Sequence, residues 1–559
     1  MPVVSRHAAL EDGHQTLALV EGRRAHLGWA AGVAVCLLIL LGAAVGRHGA
    51  SVTPDSVQYL STAHHVASGE GVRTSITELS VPPPMIPLGP WPPLYPILLG
   101  GLMRAGLTPY ESVRWLNLVL LPLAIWPLAL VARRAGGPRS AAATVLAHAL
   151  LFYPVMLSAF VWSEPLYIVL SLASLACLGR GMAREKGFAW EMPMGGLLAG
   201  AAMLTRYVGF TLIGASLAGL WLLSLHRPPR RFWRDLLGYA IPAILPNALW
   251  LWHNRRATGY FFGEARPEAW FPWDRILADT GRTLALDWMA PILRLDMPWA
   301  PAAGLAGFAG AAILLGVVLS RLRLLRAETV DEQGGLTFIL WLYAAAYIFG
   351  MILLSRRVGF DPVNTRYLAP AYPPLLVLLA ALIGKALAGE RRRRPQHLER
   401  NLLATALLLL AVPQVASTAR LVARAGMEER GLTGPYWTSS AWDDASWDAD
   451  PGLDRVRAYG RDGALIISNL WDLIGIRTGL ATKALPETTW PGFLERLWEH
   501  PGAVVAVHRG MRPYRATDED LRALAGTSGR LAPLGETGKW SFYRFTPPAE
   551  VIPRRAARS

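Results

Sequence analysis

Cysteine is nearly missing from this chain. Of 559 residues only Cys36 and Cys177 carry a thiol, and both fall inside apolar runs. A disulfide framework and a cysteine-ligated metal site are thereby excluded. Charge is also sparse, at 17% of residues against 53% hydrophobic. Such a composition does not suit a soluble enzyme built around one core. There is no solenoid period, and no low-complexity tract beyond Arg391–Arg394. A cleavable leader is not expected either, because the first apolar stretch is longer than a signal h-region and lacks a small-residue cleavage site. The acidic run Asp443, Asp444, Asp448 and Asp450 has neither the spacing nor the glycine of a calcium loop, so it reads as a solvated turn. His64-His65 reads as a solvated loop pair. A net charge of +15 suggests nucleic acid until the basic residues are placed along the chain. They sit between apolar segments, where membrane topology needs them, so no nucleic-acid partner is expected.

What is present is a succession of apolar segments near 27–46, 113–132, 141–157, 165–179, 194–205, 207–225, 236–252, 303–320, 336–354, 368–388 and 402–419. Each is taken as a membrane crossing, about eleven in all. Basic clusters at Arg133–Arg139, Arg180–Lys186, Arg227–Arg234, Arg321–Arg326 and Lys385–Arg394 alternate with loops of the other kind. Arg6, Arg23 and Arg24 keep the N-terminus cytoplasmic by the positive-inside rule. The organisation expected is a cytoplasmic tail (1–26), a polytopic helical membrane domain (27–419) with a large first outer loop (47–112), and an extracytoplasmic α/β domain (420–559). Strand-like runs Ala464–Ser468, Ala503–Val507 and Ser541–Phe545 support the last of these. The dozen apolar residues of 93–105 are too few to span, so an interfacial or re-entrant helix is expected there.

Polar residues on the outward side form a pattern. Asp55 follows the first span, and Glu164 lies in the short turn Trp162-Ser163-Glu164-Pro165. Arg206, Arg255, Arg256, Arg356, Arg357 and Arg366 flank other spans on the same side. Charges at a membrane edge are costly and are usually paired or functional. Two carboxylates with several arginines suit a reaction in which a hydroxyl is deprotonated while a phosphate departs, since arginine is a permanently charged, bidentate phosphate partner. Tyr59, Trp91 and Tyr95 offer apolar faces to a sugar or an isoprenoid. Simpler roles stand beside these. Asp55 reads equally as a helix N-cap, Glu164 as a helix-start acid complementing the dipole, and Arg255 and Arg256 as snorkelling anchors. Gly196-x-x-x-Gly200 reads as close helix packing.

The order Pro54-Asp55-Ser56-x-x-Tyr59-Leu60-x-x-Ala63, Gly69-Glu70-Gly71 and Pro92-Pro93-Leu94-Tyr95-Pro96 resembles the first outer loop of GT-C superfamily glycosyltransferases. The branch it looks most similar to contains protein O-mannosyltransferases and the lipid A aminoarabinose transferase. Ser163-Glu164-Pro165-Leu166-Tyr167, Leu204-Thr205-Arg206-Tyr207, Thr365-Arg366-Tyr367-Leu368-x-Pro370, and Ile467-Ser468-Asn469 with Leu485-Pro486 extend the resemblance to about residue 490. It implies a multi-pass inner-membrane enzyme moving a sugar from a polyprenyl-phosphate donor to a hydroxyl of an extracytoplasmic lipid, glycan or protein. Asp55 and Glu164 would be its catalytic acids, and Arg206, Arg255, Arg256 and Arg366 would bind the donor phosphate. Tyr59, Trp91, Tyr95, Tyr207 and Tyr367 would line the substrate. Relatives often carry two adjacent acids where this chain has Asp55-Ser56, so no metal and no other cofactor is expected. A transporter or flippase of a lipid-linked substrate, and a non-catalytic scaffold of the same fold, are the alternatives.

Overall fold

The computed structural model describes residues 27–45, 50–263, 271–284, 332–390, 411–423, 447–485, 502–509 and 518–546, with short gaps inside several of these ranges. The segment expected to cross at 303–320 and the tail 1–26 lie outside the described residues. Among those described, five stretches are long and apolar enough to cross a membrane: Leu27–Val45, Pro109–Leu150, Glu164–Met182, Gly334–Arg357 and Thr365–Gly384. Trp29, Leu40, Val119 and Trp126 stand exposed on such helices, as a lipid-facing surface requires.

The elements follow local rules. Helix α1 (Leu27–Val45) leads to α2 (Pro54–Ala67), whose N-cap is Thr53 in extended geometry with Pro54 at the first helical position. Helix α3 (Leu94–Arg104) is the short apolar helix expected at 93–105. Helix α4 (Pro109–Leu123) opens on a capping box in which Thr108 and Glu111 exchange hydrogen bonds. Helix α5 (Ile125–Leu150) is broken at Gly137, whose φ of 82° puts the break within the Arg133–Arg139 basic stretch. After α6 (Phe152–Ser158) and a turn comes α7 (Glu164–Met182).

Helices α8 (Glu191–Met203) and α9 (Phe210–Ser224) are separated where Arg206 turns extended, at φ −148° and ψ 125°. The chain thus interrupts one apolar run at its single charge. Helix α10 (Pro229–Thr258) lies against α8. A Cβ on Gly196 would sit 2.1 Å from the Tyr239 carbonyl oxygen, and one on Gly200 2.9 Å from that of Ala243. The GxxxG pair is therefore where two backbones touch. Helix α11 (Trp273–Arg282) is followed by α12 (Glu332–Arg357), the short α13 (Thr365–Leu368), α14 (Tyr372–Glu390) and a helix over 411–423, here α15.

Beyond these lies a sheet with strand order β2-β5-β4-β6-β8-β7. Strands β4 (Ile466–Ser468), β5 (Thr482–Ala484) and β6 (Val504–His508) run parallel, while β7 (Leu531–Thr537) and β8 (Trp540–Phe545) close it antiparallel. Its other edge comes from elsewhere in the chain. Strand β2 (Ile76–Thr77), inside the first loop, pairs parallel with β5. Strands β1 (Arg73–Thr74) and β3 (Ile86–Pro87) form a small ladder beside it. Of the flanking helices α16 (Pro451–Arg461), α17 (Trp471–Thr478) and α18 (Asp518–Ser528), α17 packs on α2. The C-terminal strands are therefore sutured to the loop that carries Asp55. A two-residue edge strand has no alternation to read, which is why the sequence reading assigned the sheet to the C-terminal region alone.

One buried group makes this region pH-sensitive. His508 ends β6 and packs between Trp447 and Trp540. Burial lowers its pKa from 6.5 to about 4, with Arg509 and Lys539 adding to the fall and Asp450 opposing it. Above pH 6.5 both folded and unfolded forms hold it neutral. As pH falls from about 6.5 toward 4 the unfolded form takes up a proton that the folded form refuses, so stability drops by up to ~3 kcal/mol. Hydrogen exchange of Val504–His508, corrected for intrinsic rates, should lose protection over that window. His508→Asn should flatten the profile; an unchanged slope would assign the effect to other groups.

Candidate active site

Asp55 occupies the first turn of α2, where an acid suits the helix dipole. The cap is Thr53, so the N-cap alternative for Asp55 is replaced by a second-position role. Ser56, next to Asp55, has a structural task. Ser56 Oγ accepts from Thr53 N–H at 2.9 Å and donates to the Val161 carbonyl at 2.9 Å, tying the start of α2 to the turn before α7. Trp162 Nε1 donates to Thr53 Oγ1 at 3.0 Å and makes the same connection.

That turn presents Glu164 as the first residue of α7. Arg366 comes from α13, where Asn364 caps the helix by accepting from the Arg366 and Tyr367 amides. The guanidinium of Arg366 bridges two carboxylates: Nε donates to Glu164 Oε1 at 2.6 Å, and Nη2 donates to Asp55 Oδ2 at 2.6 Å. Its plane lies over the Trp162 ring, 4.3 Å from the centroid, and Trp162 in turn stacks on Phe160 at 4.0 Å. Arg206, at the break between α8 and α9, places Nη1 2.8 Å from the same Glu164 Oε1. Nη1 also lies 3.3 Å from Ser163 Oγ, which meets the Tyr59 hydroxyl at 3.2 Å. Four elements remote in sequence thus meet in a chain of alternating charge, Asp55–Arg366–Glu164–Arg206.

Burial differs along that chain. The Glu164 side chain is fully enclosed, those of Arg366 and Arg206 are 8% and 11% exposed, and that of Asp55 is 19% exposed. Asp55 is the most exposed of the four. Two carboxylates and two guanidinium groups sum to zero, which is what allows the cluster to be buried at all. Burial is the largest single influence and would lower the Arg206 pKa, but Glu164, Tyr347 and Tyr59 together outweigh it and raise the value, so the guanidinium stays charged. Burial raises the Tyr59 phenol well above its ordinary range, with Asp55 and Glu164 adding to the rise and Arg206 opposing it. Tyr59 is therefore a neutral donor or acceptor here. Several buried polar atoms next to the cluster lack hydrogen-bond partners among the described residues: Glu164 Oε2, Arg206 Nε, Tyr95 Oη and Tyr347 Oη. Among the described residues no group of three or more His, Cys, Asp and Glu is placed to hold a metal ion.

Of the aromatic candidates, Tyr59, Trp91 and Tyr95 form one group, with Tyr59 5.9 Å from Trp91 and 5.1 Å from Tyr95. Tyr367 lies beside Arg366, with its ring 5.5 Å from the guanidinium carbon. Tyr207 is turned to other work: its hydroxyl accepts from Trp250 Nε1 and Asn254 Nδ2. Arg255 and Arg256 are not brought to the cluster. They stand exposed at the end of α10, stacked over Phe261 and Trp252 at 5.7 and 4.8 Å, the packing expected of interfacial anchors. Arg356 and Arg357 are exposed at the end of α12, and Arg356 lies over Trp273. The sequence reading missed Trp162, Ser163 and Tyr347 as site residues. Being neutral, they gave no charge signal, and the partners of Trp162 and Ser163 lie far along the chain.

No family model matches this sequence, and no curated protein matches it. Solved structures do match. ArnT from Cupriavidus metallidurans bound to undecaprenyl phosphate is 15% identical over 92% of this chain and 98% of its own, with a TM-score of 0.52. The apo form of ArnT covers the same shares at 15% identity, with a TM-score of 0.54. At this identity the likeness is one of fold, and the GT-C resemblance read from the sequence holds at that level.

Proposed function

We propose that this protein is a membrane glycosyltransferase that moves a sugar from a polyprenyl-phosphate donor to a hydroxyl on an acceptor outside the cytoplasm. The observation that supports it most is the Asp55–Arg366–Glu164–Arg206 chain, with an accessible carboxylate at one end and two enclosed arginines behind it. The fold shared with ArnT, whose structure holds undecaprenyl phosphate, supports the choice of donor. Residues 1–26 form the cytoplasmic tail, 27–419 the membrane domain with its outer loop 47–112, and 420–559 the outer α/β region, which borrows β2 from that loop.

In this reading the acceptor O–H approaches Asp55, whose carboxylate takes the proton. The acceptor oxygen forms a bond to the anomeric carbon as the bond from that carbon to the phosphate oxygen breaks. The electron pair leaves with the polyprenyl phosphate, and Arg366 and Arg206 meet its charge. The proton on Asp55 then returns to solvent. A single displacement inverts the anomeric centre. Glu164 has one oxygen gripped by both arginines, so it acts as their positioning counter-ion. Tyr59, Trp91 and Tyr95 supply apolar faces, and Tyr367 flanks the phosphate end.

The test is transfer itself: purified protein, a labelled polyprenyl-phosphate sugar and an envelope extract should give a glycosylated product and free polyprenyl phosphate in equal amounts. Counterflow of the lipid-linked sugar in proteoliposomes without covalent product would establish a transporter instead. Within the transferase reading, Arg206→Ala should raise the donor KM by about tenfold and leave the acceptor KM within twofold. Equal effects on both substrates would make Arg206 structural.

A further inference from the structure

We propose that Arg366 is an exchangeable counter-ion: in the empty site it holds Asp55, and the donor phosphate takes Asp55's place on it, freeing the base only once the donor is bound. This inference rests on the transferase reading above and concerns the order of events within that site.

The geometry gives Arg366 two unequal ends. Its Nε faces Glu164, fully enclosed and also held by Arg206. Its Nη2 faces Asp55, the accessible member of the set, and occupies Asp55 Oδ2 at 2.6 Å. The Trp162 ring lies against the guanidinium, and the Asn364 cap fixes the backbone from which Arg366 projects. The Nη2 end, paired with the most exposed member of the set, is therefore the end that a new partner reaches. A phosphate monoester or diester oxygen arriving from the Asp55 side meets an Nη2 already in use. It binds by displacing a carboxylate, which is a like-for-like exchange of anions on one cation. Asp55 cannot leave Arg366 first without stranding a charge on each, and that cost falls when phosphate supplies the new pairing. Charge counting gives the same order. The resting cluster is neutral and the donor phosphodiester makes it anionic; when Asp55 takes the acceptor proton and the sugar–phosphate bond breaks, the negative charge passes from Asp55 to the departing phosphate beside the arginines. Donor binding thus both uncovers the carboxylate and creates the electrostatic demand for a proton. In the absence of donor the base is occupied, which protects a reactive site from engaging acceptor alone.

The consequence is counter-intuitive for a catalytic residue: removing the base should tighten donor binding, because the phosphate no longer competes with it. Undecaprenyl phosphate in mixed micelles, titrated into full-length purified protein, is the probe, with neutral undecaprenol as the control lipid. Asp55→Asn should bind the phosphate about tenfold more tightly than wild type, with undecaprenol affinity unchanged. In an Arg366→Lys background, where a single ammonium cannot span both carboxylates, the same Asp55→Asn change should give less than a threefold gain. Arg366→Gln should abolish the gain, with thermal melting used to verify folding of each variant. No tightening in Asp55→Asn overturns the exchange. A full tenfold gain that persists beside Arg366→Lys overturns it as well, since simple removal of a negative charge would then account for the effect. If wild type binds neither lipid, the donor assignment itself fails, a result distinct from either of these.

Discussion

Asp55→Asn is expected to reduce sugar transfer by roughly 10³-fold at unchanged protein abundance, within the range that a positioned general base contributes. Asparagine keeps the shape of the side chain and can still accept from Arg366 Nη2 through its amide oxygen, so the 2.6 Å link is weakened without a cavity being opened. What is lost is the ability to take a proton from an acceptor hydroxyl. The measurement is label transfer from a polyprenyl-phosphate sugar in membranes containing matched amounts of each protein. Residual activity should be independent of pH between 5 and 8 in the variant. Transfer at the wild-type rate would remove Asp55 from the chemistry, and the base would have to be sought elsewhere. Because the same variant is expected to hold the lipid phosphate more tightly, its defect should appear in turnover and not in donor KM. That split separates loss of a base from a site that has merely collapsed.

The four charged residues of this site were legible because each interrupts or borders an apolar run. Arg206 is the plainest case: about ten apolar residues flank it on either side, and the chain breaks its helix there. Arg255 and Arg256 carried the same signal and took a different fate. A cation at the end of a long helix can reach outward along Trp252 or Phe261, whereas one trapped between two short helices has to find an internal partner. Sequence position alone does not distinguish the two. Trp162 and Ser163 illustrate the opposite limit. Each joins segments about a hundred residues apart, Trp162 to Thr53 and Ser163 to Tyr59, and nothing in local periodicity marks such a contact. The same holds for β2, whose membership of the sheet depends on a partner at Thr482–Ala484, some 400 positions later. The long apolar helices are local properties and could be read; the suture between first loop and C-terminal sheet is a long-range one.

Glu164→Gln is expected to cost about 3–5 kcal/mol of stability, the usual penalty for stranding one side of a buried ion pair. The reason lies in how its single charge is shared. Glu164 Oε1 receives Arg366 Nε at 2.6 Å and Arg206 Nη1 at 2.8 Å, so neutralising it leaves two enclosed guanidinium groups with only Asp55 between them. Isosteric replacement preserves volume and therefore isolates the electrostatic part. A detergent-solubilised sample should melt several degrees below wild type, and the shift should shrink when anionic lipid phosphate is added, since a phosphate can stand in for the missing carboxylate near Arg366. The double variant Glu164→Gln/Arg206→Met restores neutrality to the cluster and should recover a large part of the lost stability. It should remain inactive, because the second phosphate partner is gone. If Glu164→Gln melts with wild type, the two arginines are compensated by other groups, and Glu164 is not what holds them. If the double variant melts no higher than the single one, charge balance is not the source of the penalty, and the packing of Ser163 and Tyr59 around Arg206 becomes the term that sets the stability of the site.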